Sequence, residues 1–321
     1  MKIAILDDYQ DVVRGLDCFA TLAAHEVTVF NDVPESKQVL IDRLKDFEAL
    51  VLIRERTVFD DEILAQLPNL KLISQTGKIS NHLNFDECTK HGVAVAEGRG
   101  SPIAPSELCW SLIMAASRHI VPYVENFKQG KWQQSGDLGL GRSLSGLTLG
   151  IWGYGKIGQR IAQYGKAFGM NVLVWGREPS RQKALEDGFQ AADSKADFFA
   201  EADVLSLHLR LNEATRSCVT AEDLALMKTD ALIVNTSRAE LVSPDALHQA
   251  LKAGRPGVAA VDVFENEPAD AFNEPLLSLP NVLAVPHLGY VEKGGYELYF
   301  SIAFDNVVAF SEGRPENLIE C

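Results

Sequence analysis

The sequence predicts an α/β protein with two doubly wound domains, the second inserted into the first. Short apolar runs alternate with amphipathic stretches through the first hundred residues, and the alternation resumes from Leu147. Strands that alternate with helical segments indicate parallel sheets with crossover helices. The chain has 321 residues, which is longer than a single hydrophobic core usually supports, so two domains are expected.

The first domain is predicted to contain five strands separated by helices. Asp60, Asp61 and Glu62 place acidic side chains in the first turn of one helix, and Pro68 limits its length. The predicted strands cover residues 2–6, 27–30, 49–53, 71–74 and 93–96.

A change of pattern near residue 98 marks the crossing into the second domain. Gly98, Gly100 and Pro102 interrupt the alternation, an apolar helix is predicted over residues 107–118, and residues 129–141 are the predicted flexible insert. Six strands follow, at residues 147–152, 172–175, 204–209, 231–235, 258–261 and 282–285. A last helix over residues 292–310 is expected to return to the first domain. The predicted domains are therefore 1–100 with 291–321, and 101–290.

Composition argues against several classes of partner and cofactor. The formal net charge of −14 and the pI near 5.0 disfavour nucleic acid, which demands a basic face. The longest apolar run, residues 108–116, is too short to span a bilayer, so no membrane partner is expected. The cysteines lack metal-binding or Cys-x-x-Cys spacing, which indicates reduced thiols in the cytoplasm and predicts no metal site. They are Cys18, Cys88, Cys109, Cys218 and Cys321.

A glycine pattern follows the first strand of the second domain. Gly153-Tyr154-Gly155-Lys156-Ile157-Gly158 joins a buried strand to a helix, as Gly-x-Gly-x-x-Gly does where it binds a dinucleotide. The glycines permit a tight turn, close approach of a pyrophosphate and close packing of the helix, whose free amides face the phosphates. We therefore predict a nicotinamide dinucleotide, NAD(P)(H), as the cofactor, bound in a Rossmann domain.

The end of the next strand bears on the choice between NAD(H) and NADP(H). An acidic residue there usually binds the ribose hydroxyls of NAD, but this chain has Gly176 followed by Arg177. Glycine leaves room, and an arginine can bind a 2′-phosphate bidentately. Arg181 could add a second cation, whereas Glu178 could still bind a ribose. NADP(H) is the favoured cofactor.

Polar side chains follow three late strands of the same domain. They are Arg238, Asp262 with Glu267, and His287. Ligands of open α/β sheets bind at the carboxyl ends of strands. A histidine can transfer a proton while a carboxylate orients it, and an arginine can hold a substrate carboxylate. Each residue alone is more often structural, but together they predict an acid/base site.

These blocks resemble the D-isomer-specific 2-hydroxyacid dehydrogenase family, which includes glyoxylate/hydroxypyruvate reductases and phosphoglycerate dehydrogenases. The resemblance covers essentially the whole chain and rests on the glycine loop, Asn235-Thr236-Ser237-Arg238, residues 261–268 and Pro286-His287-Leu288-Gly289. It implies that Arg238 binds and polarises a small anionic 2-oxo or 2-hydroxy acid, that Glu267 pairs with His287, and that His287 is the acid/base. It also implies that Thr236 and Asp262 serve the cofactor. A flavodoxin-like substrate domain and a homodimer are further implications.

Departures from the family pattern affect the predicted substrate site. The usual glycine-rich loop contains Gly77, Lys78 and Ile79 here, and Lys78 could bind an anionic substrate or be an ordinary surface lysine. Phosphite dehydrogenase, a relative, is similar in having lysine at this place. Arg54, at another strand end, would suit a second negative group such as a phosphate.

Three alternatives to a 2-oxo acid reductase are also compatible with this sequence. A short enzyme similar to phosphoglycerate dehydrogenase and a phosphite-type dehydrogenase would use the same fold. A binding protein that senses the dinucleotide, as corepressor relatives do, would need no turnover. Arg238, Glu267 and His287 argue against the last alternative.

Overall fold

A computed structural model describes residues 1–319 of the chain. The chain forms two compact units: the first contains Met1–Ser101 and the chain from Glu292 onwards, and the second contains Pro102–Val291. Each unit has its own parallel sheet, so the predicted α/β class with two parallel-sheet domains is confirmed. Two residues of the predicted first domain, Glu320 and Cys321, lie outside the described residues.

All ladders between the strands of residues 1–319 are parallel. The strands are β1 Lys2–Ile5, β2 Glu26–Val29, β3 Ala49–Leu52, β4 Leu72–Gln75, β5 Ala94–Ala96, β6 Thr148–Trp152, β7 Asn171–Trp175, β8 Gln190–Ala191, β9 Val204–Leu207, β10 Leu232–Asn235, β11 Val258–Val261 and β12 Val282–Ala284.

Helices connect most of these strands, as parallel pairing requires. The α-helices are α1 Lys37–Leu44, α2 Asp61–Leu64, α3 Phe85–Lys90, α4 Ile103–Ser117, α5 Ile120–Lys128, α6 Lys156–Ala167, α7 Glu178–Glu186, α8 Lys195–Glu201, α9 Ala221–Leu226, α10 Ala246–Lys252 and α11 Lys293–Ser311. Asp60 starts α2 by accepting a hydrogen bond from the amide of Ile63, so the predicted acidic helix start is present.

The sheet of the first unit has the strand order β2-β1-β3-β4-β5. Its buried core includes Leu50, Leu52 and Ile73. Helix α11 packs on this sheet, where the Ser74 hydroxyl on β4 donates to the carbonyl of Ala303 at 2.8 Å. The direction in which successive strands are added to the sheet reverses between β1 and β3. In open parallel sheets, ligands bind at the carboxyl ends of the strands where this reversal occurs.

The sheet of the second unit has the order β12-β11-β10-β9-β6-β7-β8 and is buried on both faces by separate apolar clusters. Six of these strands correspond to the predicted ones. The added edge strand, β8, spans only Gln190–Ala191 and pairs with β7 through Leu173 and Val174. A two-residue strand has no periodicity of its own, which explains why the sequence did not predict it.

Helix α4 begins at Ile103, four residues before the predicted start at Glu107. Pro102 is its N-cap and Pro105 lies in its first turn. A proline is tolerated there because first-turn amides have no partner within the helix. The two prolines therefore mark the start of the helix, and Pro102 is also the first residue of the second unit.

Candidate functional site

The glycine loop connects β6 to α6 as the dinucleotide motif requires. Gly153 has φ +100°, and a Cβ there would lie 2.5 Å from the carbonyl oxygen of His208. A Cβ on Gly158 would lie 2.1 Å from the carbonyl oxygen of Gly153. Gly155 is the exposed N-cap of α6, and a Cβ there would meet nothing within 4 Å. The loop therefore combines tight packing beneath with open space above the helix start, which fits a pyrophosphate.

The side chains within this loop face different surroundings. The Tyr154 hydroxyl donates to Asp187 Oδ2 at 3.0 Å, and burial raises the pKa of Tyr154. Ile157 packs against an apolar cluster of the second unit, while Lys156 is exposed. Tyr154 and Ile157 can thus serve a cofactor through their backbone amides rather than through their side chains.

The end of β7 carries the residues that bear on the ribose. Gly176 has φ +155° and supplies no carboxylate, and the next residue, Arg177, is the exposed N-cap of α7. Glu178 is ion-paired with Arg181 at 2.5 Å, and the Arg181 guanidinium lies 5.1 Å from the ring centre of Trp175. Arg181 is thus held by neighbours, whereas Arg177 presents its side chain to solvent.

The turn after β10 places Arg238 at the carboxyl edge of the second sheet. Asn235 Nδ2 donates to the carbonyl of Arg238 at 2.8 Å, and Asn235 Oδ1 accepts from the amide of Ser237 at 3.1 Å. The guanidinium of Arg238 donates to the carbonyl of Ser237 at 2.6 Å. Thr236 is half-buried in the same turn. Asn235 therefore determines the conformation of the turn that carries Arg238.

The structure brings His287 and Glu267 together. His287 Nδ1 lies 2.7 Å from Glu267 Oε2, while Glu267 Oε1 accepts from the amide of Phe264 at 3.0 Å. The ring of Tyr290 contacts the imidazole edge to face, with centroids 5.5 Å apart. Since Nδ1 faces the carboxylate, Nε2 is the ring nitrogen that remains for a substrate.

Asp262, the residue after β11, is completely buried, with 0% exposure. Its Oδ1 accepts from the amide of Leu288 at 2.5 Å and its Oδ2 from the amide of Gly289 at 2.9 Å. Burial raises the pKa of Asp262 to about 6, although both hydrogen bonds and the His287 charge lower it. Both carboxylate oxygens therefore hold the segment after His287. The expected contact of Asp262 with the nicotinamide end of the cofactor stays a prediction.

The other predicted substrate residues lie in the first unit. Arg54 follows β3, and Gly77 follows β4. The side chain of Lys78 is 71% exposed and pairs with Glu97, whose Oε1 also accepts from the amide of Ile79 at 2.8 Å. Glu97 balances the charge of Lys78, and no local sequence pattern predicts this pairing between residues nineteen positions apart.

No group of three or more His, Cys, Asp or Glu suited to a metal ion occurs among residues 1–319. In the same range, every helix is too short or too polar to cross a bilayer.

Comparison with known proteins links the site to one family. Residues 110–289 match the family model described as D-isomer specific 2-hydroxyacid dehydrogenase, NAD binding domain. The chain is 34% identical over 305 residues to a glyoxylate reductase of Thermococcus litoralis, covering 92% of this chain and 90% of that protein. It is also 34% identical over 291 residues to a D-3-phosphoglycerate dehydrogenase of Methanocaldococcus jannaschii, covering 90% of this chain and 53% of that protein.

A solved structure resembles the chain over nearly its whole length. The crystal structure of a phosphoglycerate oxidoreductase from Vibrio cholerae superposes with a TM-score of 0.95 at 67% sequence identity, covering 98% of this chain and 99% of that chain. The similarity therefore extends over both units.

Proposed function

Because the chain belongs to the D-isomer specific 2-hydroxyacid dehydrogenase family, we propose that it interconverts a small 2-oxo acid and the corresponding D-2-hydroxy acid with NAD(P)(H). The observation that carries this proposal is the 2.7 Å contact between His287 Nδ1 and Glu267 Oε2 at the sheet edge that also carries Arg238.

Proton transfer is assigned to His287. In the direction of reduction, Nε2 donates a proton to the oxygen at C2 as that oxygen gains charge, and Glu267 stabilises the orientation of the ring through Nδ1. Arg238 binds the substrate carboxylate through its guanidinium and so fixes the position of C2. Asp262 acts on the reaction by holding the Leu288 and Gly289 amides, which fixes the backbone beside His287.

The cofactor is assigned to the β6–α6 loop of the second unit. The backbone of residues 153–158 would hold the pyrophosphate, and a nicotinamide bound there would supply or accept the hydride. Thr236 lies at the same sheet edge. NADP(H) is preferred over NAD(H), because Gly176 provides no carboxylate and the exposed Arg177 begins α7 beside it.

The proposed substrate is a small anionic acid. In the first unit, Arg54 and the loop at Gly77 follow neighbouring strands and offer a cation and backbone amides. Lys78 contributes less, because Glu97 already balances its charge. A second candidate is a phosphorylated acid, which is favoured by Arg54 and by the similarity to proteins named for phosphoglycerate.

A homodimer is proposed from an exposed apolar face on the second unit. Helix α5 buries none of its residues, although it carries Ile120, Val121, Val124 and Phe127. Trp132 is 70% exposed and packs edge to face on Phe127, with ring centres 5.6 Å apart. A second copy of the chain would cover this face. A cytoplasmic location is proposed from the free cysteines at positions 18, 88, 109 and 218.

The test is nicotinamide absorbance. NADPH and NADH are followed in parallel against glyoxylate, hydroxypyruvate, 3-phosphohydroxypyruvate and pyruvate, and NADP+ and NAD+ are followed against phosphite. We expect His287→Ala to lose turnover by about 10²–10⁴-fold, the contribution of general acid–base catalysis, while cofactor binding persists. His248→Ala, on α10, is the matched control.

Unchanged turnover in His287→Ala would refute the catalytic role of His287. If the natural protein binds the cofactor but turns over no acid, two alternative functions follow. One is oxidation of phosphite, which the same assay measures, and the other is sensing of the dinucleotide.

A further inference from the structure

Arg54 has an unusual backbone conformation at a functionally placed strand end. It follows β3, next to the β1/β3 reversal of the first sheet, where ligands of such sheets bind. Its φ is +53°, in the left-handed region that residues other than glycine rarely adopt. Residues held in such regions persist only when their surroundings fix them, and they cluster at binding sites.

The two residues that end β4 and follow it fix this conformation from both sides. The Arg54 amide donates to Thr76 Oγ1 at 3.0 Å, and Gln75 Nε2 donates to the Arg54 carbonyl at 2.8 Å. The Thr76 hydroxyl itself donates to the carbonyl of Leu52 at 2.8 Å. Gln75 and Thr76 are 0% and 1% exposed. The buried side chains of Gln75 and Thr76 thus hydrogen-bond to both backbone groups of Arg54.

The guanidinium of Arg54 is also placed by its surroundings. A Cβ on Gly77 would lie 2.3 Å from Arg54 Nη1, so only glycine leaves room for this position of the side chain. The ring of Tyr299 on α11 lies 5.6 Å from the guanidinium carbon. The next residue, Glu55, is 3.6 Å from Arg54 Nη2. Backbone and side chain are therefore both restrained by residues of the first unit.

We infer that Gln75 and Thr76 are positioning residues that hold Arg54 ready to bind an anionic group of the substrate. This inference rests on the proposed function, in which Arg54 is a substrate residue. A guanidinium binds a carboxylate or phosphate bidentately only in a fixed orientation. Because the Arg54 guanidinium is already held in place, less conformational entropy is lost when the acid binds. We therefore expect loss of this placement to weaken the affinity for the acid and to leave the rate of hydride transfer unchanged.

The central experiment is a double-mutant cycle of Thr76→Val and Arg54→Met. Valine keeps the shape of threonine but removes the hydroxyl that accepts from Arg54. We expect Thr76→Val to raise KM for the best acid about five- to tenfold, the effect of one buried hydrogen bond, with kcat and KM for NADPH unchanged. In the Arg54→Met background the same change should have no further effect, because Thr76 acts through Arg54.

Two controls separate positioning from general damage to the fold. Thr76→Ser keeps the hydroxyl and should retain the natural KM. Thr57→Val removes a hydroxyl of the loop after β3 that donates to Asp7 Oδ2 at 2.5 Å, and should leave KM unchanged. Crystal structures of the natural protein and Thr76→Val provide a readout without turnover, with the Arg54 guanidinium displaced in the variant.

The outcomes distinguish this inference from the proposed function. If Arg54→Met raises KM but Thr76→Val does not, the positioning role is refuted and the substrate role of Arg54 stands. If Arg54→Met changes KM for no acid while turnover persists, the substrate role of Arg54 is refuted and the inference with it. An unmoved guanidinium in Thr76→Val overturns the inference even if the natural protein turns over no acid.

Discussion

At the scale of single residues, the candidate acid/base is held through its neighbours. His287 has φ +51°, and the amides of the next two residues, Leu288 and Gly289, donate to the carboxylate of Asp262. Glu267 divides its oxygens between the imidazole and the Phe264 amide. A ring restrained on both its backbone and its Nδ1 side has little freedom to turn, so a proton on Nε2 has a defined direction.

A prediction at this scale concerns Arg177. If its guanidinium binds the 2′-phosphate, Arg177→Ala should lower the ratio of kcat/KM for NADPH to that for NADH by about tenfold, the equivalent of roughly 1.4 kcal/mol. Gly176→Asp should move the ratio in the same direction, because a carboxylate there repels the phosphate. The measurement is steady-state kinetics with both cofactors.

Lys183→Ala is the matched control, since Lys183 lies on the same helix and pairs with Asp187 at 2.8 Å. A ratio that does not respond to Arg177→Ala would contradict the proposed preference for NADP(H).

At the scale of elements, the segment after β12 is held by the buried carboxylate of Asp262, the residue directly after β11. Burial raises the pKa of Asp262 from its usual 3.8 to about 6. The folded protein therefore binds more protons at this site than the unfolded chain between about pH 4 and pH 6. The contribution of Asp262 to the free energy of unfolding consequently falls as pH rises through this window, and it levels off about one pH unit higher, where Asp262 is fully ionised in the folded protein.

Asp262→Asn should remove this dependence. We expect the stability of the natural protein relative to the variant to fall by on the order of 1 kcal/mol between pH 5 and pH 7, since one pKa unit corresponds to about 1.4 kcal/mol. Urea unfolding at several pH values measures the difference. Asp193→Asn, at an exposed position, is the control. A difference that is constant with pH would show that burial of Asp262 does not raise its pKa.

The elements also show how far the sequence predicts the fold. Apolar runs located the strands around Leu50 and Val234 because buried parallel strands are nearly continuous in hydrophobicity. The start of α4 was missed because Pro105 suggests a break unless its place in the first turn is known. In the site, the His287 and Glu267 pair followed from strand ends. The pairing of Lys78 with Glu97 depends on how two loops meet, which no local pattern encodes.

At the scale of the whole molecule, the family resemblance that the motifs indicated is confirmed by the match over residues 110–289. A nicotinamide-dependent oxidoreductase is the enzyme class that this family implies.

The proposed homodimer gives a prediction at this scale. Phe127 is 61% exposed on α5, and Phe127→Asp would place a charge in an apolar interface. We expect the variant to be monomeric at concentrations where the natural protein is dimeric, as measured by analytical ultracentrifugation. Phe272→Asp is the control, because Phe272 is 100% exposed in a loop outside this face. A natural protein that is monomeric, or a Phe127→Asp variant that stays dimeric, would refute this interface.

The division of the chain has a consequence for its synthesis. The second unit is continuous, whereas the first needs both Met1–Ser101 and α11, which supplies the carbonyl that Ser74 binds. A ribosome therefore releases all of Pro102–Val291 before the last helix emerges. Until α11 is synthesised, one face of the sheet formed by β1 to β5 stays uncovered. An exposed apolar face of this kind promotes aggregation. Chaperone demand during translation should consequently fall on the beginning of the chain.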